Sequence, residues 1–177
     1  LGPNATWYHA ERIQNIYPPF VSKRFSLEYM PVVSLQNLLS EVAPFNPVGK
    51  NLLTQMVEQG KRQYILEQCL PQTKDTLLWG YSSMQLHAAE EALPEIWSYI
   101  QLQKILYSVR SADIRDLMYP AAYNHYFGND IPGDVGRFVG YKIVLSYMRA
   151  NNYKITLPEL LKVPAQQVLE ASNFTGN

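Results

Sequence analysis

A chain of 177 residues with 47% apolar side chains can bury the core of a single domain without cross-links. Fifteen basic residues against fifteen acidic leave a formal net charge of zero, which removes the field that would draw the whole chain to nucleic acid or anionic lipid. No apolar run approaches about 18 residues and no basic stretch leads into an apolar one at the start, so neither a membrane span nor a signal peptide is read within the chain.

Proline and glycine punctuate a series of helices. Pro18 and Pro19 precede a predicted helix over Phe20 to Met30, and Pro31 opens a second to about Ala43, because its missing N–H costs nothing in a first turn. After a break at Pro44 to Gly49, Leu52, Leu53, Met56, Val57, Tyr64, Ile65 and Leu66 recur at helical spacing within a helix over Lys50 to Leu70. Gly60 interrupts it at a cost of roughly 1 kcal/mol relative to alanine, so close approach by another element or a ligand is expected there. Cys69, the only cysteine, cannot pair within the chain and is expected to be buried.

Ser82 or Ser83 caps a helix through Ala92, and Pro94 starts one reaching Tyr107. The run Tyr119 to Asp130 lacks helical period and reads as an ordered loop. From Pro132 a long helix is predicted to about Asn151, carrying Gly133, Gly136 and Gly140 at near-helical spacing for close packing of another helix. Pro158 to Lys162 and Pro164 to Ser172 complete the pattern. No strand is convincing, and the fold class is all-α, an irregular helical bundle.

No catalytic constellation emerges. His9, His87 and His125 are too far apart in sequence for the i,i+4 pair that places two imidazoles on one helix face as zinc ligands. Gly80-Tyr81-Ser82-Ser83 does not match a serine-nucleophile elbow, and Cys69 has no basic neighbourhood to favour its thiolate. The glycines after Pro132 follow a tyrosine-rich loop rather than a strand, so they fit helix packing better than a phosphate cradle. Adjacent Glu90 and Glu91 point in different directions and form a solvated face.

The most suggestive polar groups are Glu58, Gln59 and Gln63 beside Gly60, with Arg137 and Tyr141 on the glycine-lined helix. Arginine and tyrosine four apart share a face, and an arginine among apolar residues needs an acceptor. A structural salt bridge, for example Glu58 to Arg137, competes with a ligand-binding cleft as the explanation.

Three stretches together resemble a known family. They are Asn51-Leu-Leu-Thr-Gln-Met-Val-Glu-Gln-Gly-Lys-Arg-Gln-Tyr-Ile-Leu66, then Gly80-Tyr81-Ser-Ser-Met-Gln-Leu86 with Glu95-Ile-Trp97, and Pro132-Gly-Asp-Val-Gly-Arg-Phe-Val-Gly-Tyr-Lys-Ile-Val-Leu-Ser-Tyr-Met148. They resemble the gliding-motility lipoprotein GldB family, with the last block the most specific. The resemblance implies one helical domain over residues 1–177, the C-terminal portion of a longer lipoprotein anchored by lipid upstream of Leu1, in the bacterial envelope on its periplasmic face.

GldB-like proteins are in turn similar to HExxH zinc metallopeptidases, whose downstream helix reads E-G-x-A-E-Y. The corresponding segment here is Gln59-Gly60-Lys61-Arg62-Gln63-Tyr64, with amides at both acidic positions. Glutamine is a poor oxygen donor beside carboxylate and cannot help neutralise zinc. The helix expected to hold HExxH corresponds to Pro31 to Ala43, where Val32-Val-Ser-Leu-Gln-Asn-Leu-Leu-Ser-Glu41 contains no histidine.

The resemblance thus implies the C-terminal helical part of a zincin-like body, kept in shape without metal ligands, metal or cofactor. The expected function is a noncatalytic pseudo-metallopeptidase that binds an envelope protein or peptide, with no nucleic-acid partner. Its ligand-binding residues would be Glu58, Gln59, Gln63, Tyr64, Arg137 and Tyr141. The alternative is a peptidase-like hydrolase in which Glu58, Arg137 and Tyr141 converge. Histidines supplied from upstream are disfavoured, since the helix that should bear them is present.

Overall fold

The computed structural model describes residues 17–176, and among them no strand forms beyond an isolated bridge between Asn124 and Gly128. The helices are α1 (Pro19–Ser22), α2 (Met30–Val42), α3 (Leu52–Cys69), α4 (Asp75–Trp79), α5 (Ser83–Glu91), α6 (Leu93–Leu102), α7 (Ser111–Met118), α8 (Val135–Ala150), α9 (Leu157–Lys162) and α10 (Ala165–Ser172). The all-α bundle expected from the sequence is therefore the observed fold. None of these helices is long and apolar enough to cross a membrane.

Helices α3 and α8 form the centre, with α10 packed on both, α7 against α8 and α2 against α3. Met56 and Val57 of α3 and Ile143 and Val144 of α8 are fully buried, each contributing on the order of 1.5–3 kcal/mol through removal of apolar surface from water. Glycine allows the two helices to meet. A Cβ on Gly60 would overlap the Gly140 carbonyl group, and one on Gly140 would overlap the Met56 carbonyl. The close approach expected at Gly60 is thus made by α8.

The three glycines near the start of α8 do not share one partner. Gly133 lies ahead of the helix against Ala121, Gly136 faces the Leu117 carbonyl and Met118 of α7, and only Gly140 faces α3. Each relieves a different backbone approach.

Several helix ends follow their caps. Asn51 begins α3 by accepting from the Thr54 N–H at 2.9 Å, and Ser82 and Gln85 form a reciprocal capping box at the start of α5. The helix predicted to reach Tyr107 stops at Leu102. Lys104 takes a left-handed conformation (φ 55°), and the Lys104 and Ile105 N–H groups bond back to Gln101 and Ile100. This Schellman closure usually uses glycine, so the sequence carries no warning of it.

The predicted Phe20 to Met30 helix is also corrected. It divides into α1 and two 3-10 turns, Lys23–Phe25 and Leu27–Tyr29, because Ser26 between the turns is extended (φ −75°, ψ 157°). Cys69 is exposed rather than buried, at the last turn of α3 beyond the apolar stripe. Helices α4 and α7 lack a proline start and were not expected; α7 nevertheless buries Ile114 and Leu117, three apart on one face.

Candidate functional site

Where α2, α3, α7 and the start of α8 meet, with the Pro44–Lys50 connection, they enclose a cleft of about 750 Å³. That lies within the range of small-ligand sites, about 300–1,000 Å³. Gln59 and Gln63 reach it from α3, Arg137 from α8, and Gln36 and Ser40 from α2. Apolar groups such as Phe45, Val48, Ile114 and Met118 form much of the remaining wall.

In a chain of zero net charge, the cleft lining is uneven. Arg24, Lys50, Arg62 and Arg137 line it against a single carboxylate, Asp134. Arg62 is held by donating from Nη2 to the Ala43 carbonyl, across the entry to the Pro44–Lys50 connection. Lys50 is exposed.

Arg137 is buried. Its Nη2 donates to the Trp79 carbonyl at 2.5 Å, and its guanidinium lies over the Trp79 and Tyr81 rings at 5.2 and 5.0 Å. Asp134, three residues earlier, approaches its Nε at 3.5 Å but without hydrogen-bond alignment, so that buried nitrogen has no hydrogen-bond partner. Asp134 also accepts from the Tyr81 hydroxyl at 2.8 Å. Burial, reinforced by Asp134, holds the Tyr81 pKa well above its ordinary value, so Tyr81 remains a neutral donor.

Arg24 reaches the same turn from the other side. Its Nη2 and Nε occupy the space that a Cβ on Gly80 would need, and Gly80 itself is left-handed (φ 69°). Arg24 forms no ion pair among the described residues. Burial first, and then the like charge of Arg137, lower its pKa from the ordinary value.

The Gln63 amide is 1% exposed, and neither its oxygen nor its nitrogen makes a hydrogen bond of good geometry. An unsatisfied buried polar group costs about 1–3 kcal/mol, and this one stands in the cleft wall. Gln59, one turn earlier, is half-buried with no side-chain hydrogen bond among the described residues.

The structure thus brings Gln59, Gln63 and Arg137 into one cleft, and the other singled-out residues take different partners. Glu58 pairs at 2.6 Å with Lys61 rather than with Arg137. Tyr64 is buried in the core, and Tyr141 donates to Glu67 at 2.6 Å; none of these three lines the cleft. Glu58, Arg137 and Tyr141 therefore have separate partners instead of converging. Arg62 and Asp134 escaped the sequence reading despite a legible signal. Arg62 stands three after Gln59 on one helix face, and Asp134 stands three before Arg137. Arg24 carries no such signal.

His87 is exposed beside Glu91, and His125 is exposed and stacks edge-on with Tyr123. His9 lies outside the described residues. Among the described residues, no group of three or more His, Cys, Asp or Glu is placed to hold a metal ion.

Glu67 adds a pH-sensitive element behind the cleft. Burial raises its pKa above the usual carboxylate range, only partly offset by donation from Tyr141 and by the Gln63 amide and Trp79 indole. The folded state therefore holds the Glu67 proton more tightly than the unfolded chain does. This contribution to stability is present below the unfolded pKa and lost as pH rises through the folded one. Glu67→Gln is expected to melt progressively higher relative to wild type as pH rises from about 4 to about 7. A difference in melting temperature that stays flat across that window would contradict it.

A family model described as "Gliding motility protein GldB" matches the chain over residues 1–176. No curated protein and no solved structure matches the chain. The family's lipoprotein name suggests a cell-envelope location. With the match spanning all of the described residues, the chain belongs to the GldB family of gliding-motility lipoproteins.

Proposed function

We propose that this chain is a noncatalytic binding domain of an envelope lipoprotein, facing the periplasm and holding an envelope protein or peptide in the α2–α3–α8 cleft. The observation that carries the reading is the cleft's lining, four cations and several amides against one carboxylate. Excess positive charge opposes a divalent cation, and neutral amides replace the carboxylates that would offset it. Guanidinium and amide groups instead suit a ligand offering acceptors and an anionic group. On the zinc-peptidase likeness inferred from the sequence, Gln59 and Gln63 would occupy positions where carboxylates are expected, which accords with a cleft that does not bind metal.

A hydrolase built on Glu58, Arg137 and Tyr141 has less support, since each is committed to its own partner. The test is to incubate the chain with a defined pool of synthetic peptides and measure retention, cleavage and zinc content. Retention without new fragments, substoichiometric zinc, and loss of retention in Ser40→Trp, which plugs the cleft from an exposed position, are expected. A full equivalent of zinc, or fragments whose formation a chelator stops, would overturn the noncatalytic assignment. Retention unchanged in Ser40→Trp would remove the cleft as its site.

A further inference from the structure

Two guanidinium groups converge on one turn of backbone. Arg137 donates to the Trp79 carbonyl, and Arg24 fills the space left by the missing Cβ of Gly80, the next residue. The one carboxylate in the lining, Asp134, pairs with Arg137, whose Nε still has no hydrogen bond, and Arg24 makes no ion pair among the described residues. The local charge on this cleft floor is therefore one positive unit in excess. Such a site matches a singly charged oxyanion better than a doubly charged phosphate, and the planar guanidinium fork suits the two oxygens of a carboxylate.

Beside this pair, Gln59 and Gln63 are four apart on α3, which sets them about 6 Å apart along the helix axis. Alternate residues of an extended peptide repeat at about 6.6–6.8 Å. Each glutamine offers a donor and an acceptor, as a peptide group does, and neither end of buried Gln63 makes a hydrogen bond of good geometry, its amide only approaching Glu67. A buried amide without well-formed hydrogen bonds lowers stability in the empty protein and gains bonds when main chain lies along it. The apolar wall at Phe45, Val48 and Ile114 can receive uncharged side chains.

From this we infer that the cleft binds a peptide carboxylate, on a chain end or an acidic side chain, seated at Arg24 and Arg137 with the adjoining main chain along Gln59 and Gln63. This rests on the binding-domain reading above. It names the ligand chemistry that the reading leaves open.

The test uses the 177-residue chain and three hexapeptide pools. The first lacks Asp and Glu but keeps a free terminal carboxylate, the second is the same pool C-terminally amidated, and the third is amidated with one Asp added. Retention of the first or third pool about tenfold or more above the second is expected, and which of the two leads identifies the carboxylate's source. Arg24→Gln should lower that retention about tenfold with an unchanged melting temperature, because Arg24 has no ion pair among the described residues to lose. Equal retention of all three pools, abolished by Ser40→Trp, would overturn carboxylate recognition and leave the binding domain standing. Retention of none would overturn both.

Discussion

Gly140→Ala is expected to destabilise the protein by about 3 kcal/mol or more, toward or beyond the upper end of overpacking costs. The new Cβ would meet the Met56 carbonyl, which belongs to the backbone of α3 and cannot rotate away as a side chain could. Helices α3 and α8 must then separate, loosening Val57, Ile143 and Val144, all fully buried. Against a total stability of roughly 5–15 kcal/mol, that loss is large. The measurement is the urea midpoint at unchanged slope, with Gly128→Ala as control. Gly128 has a left-handed backbone (φ 112°) but open space around it, so its cost is conformational alone. Gly60→Ala should resemble Gly140→Ala, and the double variant should cost less than the sum, because helices already parted by one methyl accommodate the second. A Gly140→Ala protein within about 1 kcal/mol of wild type would show that α3 and α8 do not meet in this way. The crossing also sets the cleft floor, since Gln59 flanks Gly60 and Arg137 lies three residues before Gly140. Peptide retention should therefore weaken even in the fraction that remains folded.

This crossing was the most legible part of the fold. Glycine within a long apolar helix is costly, so Gly60 and Gly140 announced a close approach before its geometry was known. Proline placed the starts of α2, α6 and α9 within a residue or so, by the same elementary rule. What sequence could not convey was closure without a signature residue, as at Lys104, or a short helix such as α7 that begins without proline. The cleft was legible only in part. Gln59, Gln63 and Arg137 stood out through neighbours on their own helices, but Arg24 enters from a segment far away in the chain and fills the space left by the missing Cβ of Gly80. The expected Glu58–Arg137 bridge failed for a related reason. Each has an opposite charge three residues away on its own chain segment, Lys61 and Asp134, and local partners on one helical face need no tertiary alignment to meet.

The Glu58–Lys61 pair yields the other large expected effect, an asymmetric one. Lys61 is 0% exposed, and its Nζ donates to Glu58 and to the Val163 carbonyl, each at 2.6 Å. Glu58→Ala leaves a buried ammonium with one neutral acceptor, and breaking such a pair from one side costs about 3–5 kcal/mol. Lys61→Met leaves a carboxylate whose side chain is 20% exposed and can recruit water, so the main cost is the Val163 carbonyl left without its donor, roughly 1–3 kcal/mol. The double variant, with neither charge, should be more stable than Glu58→Ala alone. Denaturant titration of the three proteins gives this coupling directly. If Glu58→Ala were the mildest of them, the carboxylate would not be neutralising Lys61. The result also bears on catalysis, because loss of any function in Glu58→Ala must first be corrected for the fraction unfolded. In the structure Glu58 ties α3 to the end of α9 through Lys61 and Val163, so a folded Glu58→Ala population should retain peptide like wild type, whereas folded Arg24→Gln should not.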